Sequence, residues 1–323
     1  MFSKFFFKLF PPPKYLNIPY AGLDISDDAI RCIEYSEHRN GYTLKKYGTR
    51  NLPQGIIEAG YIKNVPALVQ ELTQIAKDLR IETVKVSLPE ERMYLFKTEV
   101  PDVDEDQITQ NIEFKLEENV PISASEAIFF FDKMPVSLSK GKIFASVSVT
   151  PRELVDSYLG ALKSAGLTTV SFEIQAKAIA RAVVASDSTE TVMIVHLMNK
   201  KTGLYVVSSG VICFTSTIPW GAEQIRGKNL ADIPDMIFSL KHEIERVYFY
   251  WSQHGEGQKI QSIIVSGRDA TVVSQISHLS PDPAVELVVA DIWQNAFSVN
   301  HYVPKISFEE SLDYATAAGL ALP

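Results

Sequence analysis

Cysteine is scarce in this sequence, and long hydrophobic runs are missing from it. Cys32 and Cys213 are the two thiols among 323 residues. Both fall in apolar, strand-like stretches without CxxC spacing, which excludes a disulfide framework and a zinc knuckle. No apolar run reaches the roughly 18 residues that cross a bilayer as a helix. Positive charge is in deficit, with 31 Lys and Arg against 39 Asp and Glu. No long basic run offsets that balance, which argues against nucleic acid as the main partner. The sequence has no GxSxG, no HExxH, no Walker A loop and no GxGxxG after a strand, and its histidines do not cluster at metal-ligand spacing. What remains is the composition of an ordinary soluble protein, 46% hydrophobic and long enough for two or more subdomains. A cytosolic chain is expected.

The N-terminus is richer. In MFSKFFFKLFPPPK, Phe2, Phe5, Phe6 and Leu9 recur at i, i+3, i+4 and i+7, while Lys4 and Lys8 point elsewhere. Three prolines then end any helix and form a stiff spacer. Residues 1–17 read as an amphipathic tail that contacts an anionic membrane surface or a partner's groove, or else packs on its own domain or is simply disordered.

Alternation predicts strands over 20–25, 30–37 and 42–48, with Asn40-Gly41 turning the second into the third. Leu68, Leu72, Ile75, Ala76 and Leu79 form a helical stripe, and Thr83–Leu88 alternates as a strand. These elements make residues 18–90 one half of a core. A small α+β insertion follows over 91–165. It holds a strand at 92–100, a helix capped by Asp104 with Gln107, strands at Ala127–Met134 and Ile143–Val149, and a helix opened by Thr150-Pro151-Arg152-Glu153. Residues 166–190, with a helix over Ile174–Ala185, return to the first half.

The opening pattern then recurs. Val192–Leu197, Gly203–Ser208 and Val211–Ile218 read as strand, turn, strand, turn, strand, beginning a second half over 191–323. That half adds a helix at about 232–253, strands at Gln261–Val265 and Val285–Val289, and a small-residue helix in SLDYATAAGLALP. Two β-β-β units describe a duplicated α/β fold with a cleft between its halves. Each half would contribute one turn to that cleft, with glycines admitting phosphates and aspartates holding Mg²⁺. AGLDISDDAIRCIEY has the outline of the first turn, with Asp24 ending the strand and Ser26-Asp27-Asp28 in place of a glycine.

In order and spacing, these motifs resemble the actin/Hsp70/FtsA superfamily and, more narrowly, the PilM family of type IV pilus assembly proteins, over residues 18 to 323. GLDISDDAIRCIEY is similar to the family's first phosphate motif. EFKLEENVPI paired with SAGL…FEIQAKAIARA is similar to its inserted subdomain and the return from it. TIPWGAEQI, KHEIERVYFYW, IIVSGRDA and SLDYATAAGLAL follow in order. The resemblance implies a duplicated actin-like ATPase fold with a small inserted α+β subdomain. It also implies a cytoplasmic, non-enzymatic adaptor at the inner face of the cytoplasmic membrane. Such an adaptor docks the short cytoplasmic tail of a PilN-like inner-membrane protein and connects it to the pilus motor ATPase.

The resemblance further implies an ATP and Mg²⁺ cleft formed by Asp24 (the metal position), Ser26, Gly221, Glu243 and Gly267, with His196 and Asn199 on the second turn. Several residues depart from the family pattern. Ser26 stands for a glycine, His196 for an acid, Met198 for a glycine, and Ser266-Gly267-Arg268-Asp269-Ala270 for a glycine-rich run. These departures predict a degenerate cleft with weak or no nucleotide binding. The alternatives are an ATP-dependent switch or slow ATPase with Asp24 at the metal site, and an FtsA-like, membrane-associated filament. Plain structural roles also fit: Asp24 capping its turn, His196 buried and satisfied, Gly221 and Gly267 turning the chain, and Lys200 and Lys201 solvated.

Overall fold

The first half grows from a hairpin. Strands β1 (Ala21–Ile25) and β2 (Ala29–His38) run antiparallel, with Asp24 opposite Arg31 and Ile25 opposite Ile30. All of β1 is buried, as its central place in the sheet requires. Strand β3 (Gly41–Asn51) continues the meander on the far side of β2. After a small ribbon of β4 (Ile57–Glu58) and β5 (Tyr61–Ile62), helix α1 (Val65–Leu79) lays Leu68, Leu72 and Ile75 onto the core. Its first turn is closed by Asn64, whose side chain accepts the Ala67 N–H. Strand β6 (Thr83–Leu88) then pairs in parallel with β1. The computed structural model describes residues 18–39, 41–137, 141–228, 237–255, 257–274 and 279–323. The expectations for the tail at 1–17, for Asn40 and for a helix start at 232–236 lie outside these residues.

The insertion is a three-stranded antiparallel sheet covered by one helix. The sheet order is β7 (Tyr94–Pro101), β9 (Lys142–Pro151), β8 (Ala127–Ser137), and α2 (Glu105–Asn119) packs on one face. Ile108, Ile112 and Leu116 meet Val100, Ala145, Val147 and Val149 in a core of their own. The Asp104 carboxylate accepts the Gln107 N–H at 2.9 Å, as the capping spacing predicts. The sheet's other face carries Leu95 and Phe130 onto the core of the second half.

The next helix, α3 (Arg152–Ser164), departs from the sequence reading. Grouped there with the insertion, it buries Leu154, Tyr158, Ala161 and Leu162 with Leu68, Leu72 and Val84 of the first half. The Tyr158 hydroxyl donates to the Gly60 carbonyl at 2.9 Å. Thr150 does not cap α3: Pro151 takes the cap position without a side-chain bond, and Thr150 belongs to β9. Strand β10 (Thr168–Ile174) and helix α4 (Gln175–Val183) complete the return.

Antiparallel β11 (Thr191–Leu197), β12 (Thr202–Ser208) and β13 (Val211–Ile218) repeat the opening meander. Helix α5 (Phe238–His254), strand β14 (Ile260–Gly267), helix α6 (Ala270–Ser274) and strand β15 (Glu286–Val289) follow. The two five-stranded sheets have the same connectivity: β3-β2-β1-β6-β10 matches β13-β12-β11-β14-β15. The last helix, α7 (Ala315–Ala321), packs on both α4 and β1. Small residues make that possible. A Cβ on Gly319 would lie 1.7 Å from the Ala178 carbonyl oxygen, and one on Gly22 would lie 2.1 Å from that of Ala317.

Candidate functional site

The equivalent central strands β1 and β11 end side by side, so the turns after them face each other across the cleft. Between those turns lies a cavity of about 20 Å³, lined by Asp24, Ser26, Asp28 and Arg31 from the first half and by His196, Met198, Asn199, Gly267 and Arg268 from the second, with Gln175 and Asp313. The duplicated pattern thus brings Asp24, Ser26, His196, Asn199 and Gly267 together.

Asp24 is buried, and its Oδ1 accepts the Ser87 hydroxyl at 2.8 Å. Burial raises its pKa above the usual carboxylate value, against the opposing pull of Arg31 and of the Ser87 bond. It does not cap the turn. Ser26 does so, its Oγ accepting the Ala29 N–H at 3.3 Å and lying 2.8 Å from Asp28 Oδ1. Asp27 turns away and accepts the N–H groups of Ala59 and Gly60 at 3.2 and 3.1 Å, which anchors the β4–β5 ribbon.

On the opposite side, His196 is 5% exposed, with Nδ1 3.3 Å from Ser266 Oγ. Burial first, and then Arg31, hold its pKa down to about 4, so the imidazole is neutral near pH 7. Asn199 accepts an Arg226 N–H at 3.1 Å. Gly221 and Gly267 are required by close packing of the chain on itself. A Cβ on Gly221 would lie 2.3 Å from the Asn199 carbonyl oxygen, and one on Gly267 would lie 2.1 Å from that of Leu197. Gly267 also has φ +85°, where side chains are strained.

Glu243 is not drawn into this cluster. It lies on α5 beside Arg246, at 2.6 Å, and lines a separate opening of about 500 Å³ with Trp220, Phe238 and His242. Lys201, expected at a solvated hairpin tip, instead binds Glu91 at 2.5 Å and stands 3.9 Å from Asp27. A second opening of about 480 Å³ runs past it, between the first-half turn at 26–28 with residues 52–59 and the second-half turn at 198–201. The tail positions Phe2, Lys4, Phe5, Phe6, Lys8 and Leu9 lie outside the described residues.

Sequence reasoning missed Arg31, Arg268 and Asp313. Arg31 Nη1 stands 4.0 Å from Asp24, and Nη2 stands 3.9 Å from Asp28. Arg268 donates to Asp313 from Nε at 2.9 Å and from Nη2 at 2.5 Å. The signal for Arg31 lay in the register: a tight turn from Ile25 to Ile30 places residues 24 and 31 on one face.

A cavity of about 20 Å³ admits roughly one water molecule. Arg31 stands in it beside two carboxylates, and as they stand the residues around Asp24 do not fit Mg²⁺ with a phosphate. Among the described residues, no group of three His, Cys, Asp or Glu is placed to hold a metal, and no helix is long and apolar enough to cross a membrane.

Comparison with known proteins bears on the fold and the family. A family model described as type IV pilus assembly protein PilM matches residues 22–238. No curated protein matches the sequence. Among solved structures, the PilM-PilN type IV pilus biogenesis complex aligns with a TM-score of 0.79 at 19% identity, covering 94% of this chain and 98% of that one. The ethanolamine utilization protein EutJ from Carboxydothermus hydrogenoformans aligns with a TM-score of 0.50 at 13% identity, covering 96% and 90%. The architecture is the duplicated actin-like fold. With the match spanning more than half of the sequence, the chain belongs to the PilM family of type IV pilus assembly proteins.

Proposed function

We propose that the chain is a non-catalytic adaptor of a type IV pilus assembly machine. It docks the short cytoplasmic tail of a PilN-like inner-membrane protein and so works at the inner face of the cytoplasmic membrane. The observation that carries this reading is family membership together with close structural likeness to the PilM-PilN complex over nearly the whole chain.

The junction of the first half with the insertion is suited to a short peptide. Arg92 lies 4.0 Å from the Tyr61 ring centroid, with Lys63 over the same ring at 5.5 Å. Tyr61 is partly open to solvent, at 42% exposure, as is Tyr94 at the start of β7, at 37%. Aromatic and cationic groups at a seam between packed units favour a peptide that brings apolar side chains and a backbone to pair. The motor ATPase is a further partner in this reading, and the Phe/Lys tail adds a peripheral membrane contact.

Isothermal titration of the full-length protein with a synthetic PilN-like tail tests the reading. Micromolar binding is expected, weakened at least about tenfold in Tyr61→Ala. Absence of binding by a correctly folded protein overturns the adaptor reading. Binding unchanged in Tyr61→Ala and Arg92→Ala moves the groove elsewhere.

A further inference from the structure

The residues that fill the cleft form a row of alternating charge. Arg31 is 7% exposed and lies between Asp24 and Asp28. Among the described residues its side chain makes one hydrogen bond, a long one of 3.3 Å to Ser26 Oγ, and its buried Nε has no partner. A guanidinium is costly to desolvate, so this one is retained for the charge it compensates rather than for the bonds it makes. The family resemblance implies a metal at Asp24, and Arg31 stands in that place here.

The two sides of the cavity are tied by side chains of this same chain. Lys201, on the second-half turn, binds Glu91 just before β7. Arg268, after β14, is gripped by Asp313, and the adjacent Tyr314 bonds through its hydroxyl to Thr49 on β3 at 2.8 Å. The neutral His196 adds no second positive charge against Arg31.

We propose that this cleft is held shut around Asp24 by its own side chains, with Arg31 standing where a metal-nucleotide complex would bring its cation and the Lys201–Glu91 pair and the Tyr314–Thr49 bond bracing the two halves. The chain then binds its partner tail with no nucleotide requirement. This deepens the adaptor reading and rests on it.

The test uses the full-length protein, Mg-ATP, Mg-ADP and the synthetic tail. Wild type is expected to give no binding heat with about millimolar Mg-ATP or Mg-ADP. Its tail affinity should change less than about twofold when Mg-ATP is added. Lys201→Met and Arg31→Ala should speed amide exchange in the turns at 26–28 and 198–201 by about tenfold or more, because the braces that protect them are gone. Arg31→Lys, which keeps the charge, should restore most of that protection. If Arg31→Ala fails to fold, Lys201→Met and Arg31→Lys carry the measurement. Micromolar Mg-ATP binding by wild type, a tenfold change in tail affinity with nucleotide, or unchanged exchange in Lys201→Met overturns the proposal. Mg-ATP binding with intact tail docking sinks the closed cleft alone. Loss of tail docking with no nucleotide bound sinks the adaptor reading and leaves the cleft closed.

Discussion

Asp24 and Arg31 are direct partners across the β1–β2 hairpin, with the guanidinium 4.0 Å from the carboxylate and both residues almost wholly buried. Removing the cation strands two acids in a closed space. Arg31→Ala is expected to lower unfolding free energy by about 3 kcal/mol in urea titrations. Asp24→Asn keeps the shape and leaves Arg31 facing Asp28, and should cost about 1 kcal/mol. The reverse ranking would show that the guanidinium does not carry the compensation.

Two glycines at helical positions should behave in opposite ways. Gly319 has no room for a Cβ, which would stand 1.7 Å from the Ala178 carbonyl oxygen. Gly319→Ala must push α7 off α4 and is expected to cost about 3 kcal/mol or more. Gly160, on the exposed face of α3, has nothing within 4 Å of an added Cβ. Gly160→Ala should gain about 1 kcal/mol through helix propensity alone. Thermal unfolding of the pair checks both.

Glu90 and His196 pull the pH dependence of stability in opposite directions. Glu90 is buried at the start of α4, accepting the Ala176 N–H at 3.2 Å, and burial lifts its carboxyl from 4.5 to about 7. The native state holds a proton that the unfolded chain releases, so stability falls as pH rises from 4.5 to about 7. Asp24, also raised by burial, acts with the same sign. His196 does the reverse. Its imidazole, held at about 4, refuses a proton that the unfolded chain takes up below 6.5, so stability falls as pH drops through that range. Glu90→Gln is expected to gain about 3 kcal/mol at roughly pH 8 and to lose most of that gain by about pH 5. His196→Gln should flatten the acid limb. Urea midpoints across this range measure both slopes.

Thr150, next to last in β9, has a buried hydroxyl without a hydrogen-bond partner among the described residues. Thr150→Val keeps the β-branched shape and removes the desolvated oxygen, and should raise stability by about 1 kcal/mol. If Thr150 capped α3, as its place before Pro151 suggests, the same change would lower stability by a similar amount.

Local patterns carried much of the fold. Alternation located both β-β-β meanders, and the Asp104–Gln107 spacing located the start of α2. The assignment of α3 failed for a physical reason. Its stripe of Leu154, Tyr158 and Leu162 shows that one face is buried but not which core receives it, and the choice went to Leu68 and Leu72, far away in sequence. The site divided in the same way. Asp24 and His196 were legible because each ends a hydrophobic strand in equivalent positions. Glu243 was placed with them by analogy, and the path of α5 leaves it on another opening.

The sequence by itself determined the duplication, and it put His196 and Met198 where the family resemblance implies an acid and a glycine, since periodicity and residue type are local properties. Only the tertiary structure decided what surrounds those residues. The room between the turns depends on how segments distant in sequence pack. Gly267 settles onto Leu197 and Gly221 onto Asn199, while Arg31 reaches in between two carboxylates. Ser26-Asp27-Asp28, which looks in sequence like a worn phosphate turn, is in the folded protein a set of working contacts: a cap, an anchor for the β4–β5 ribbon and a partner for Arg31.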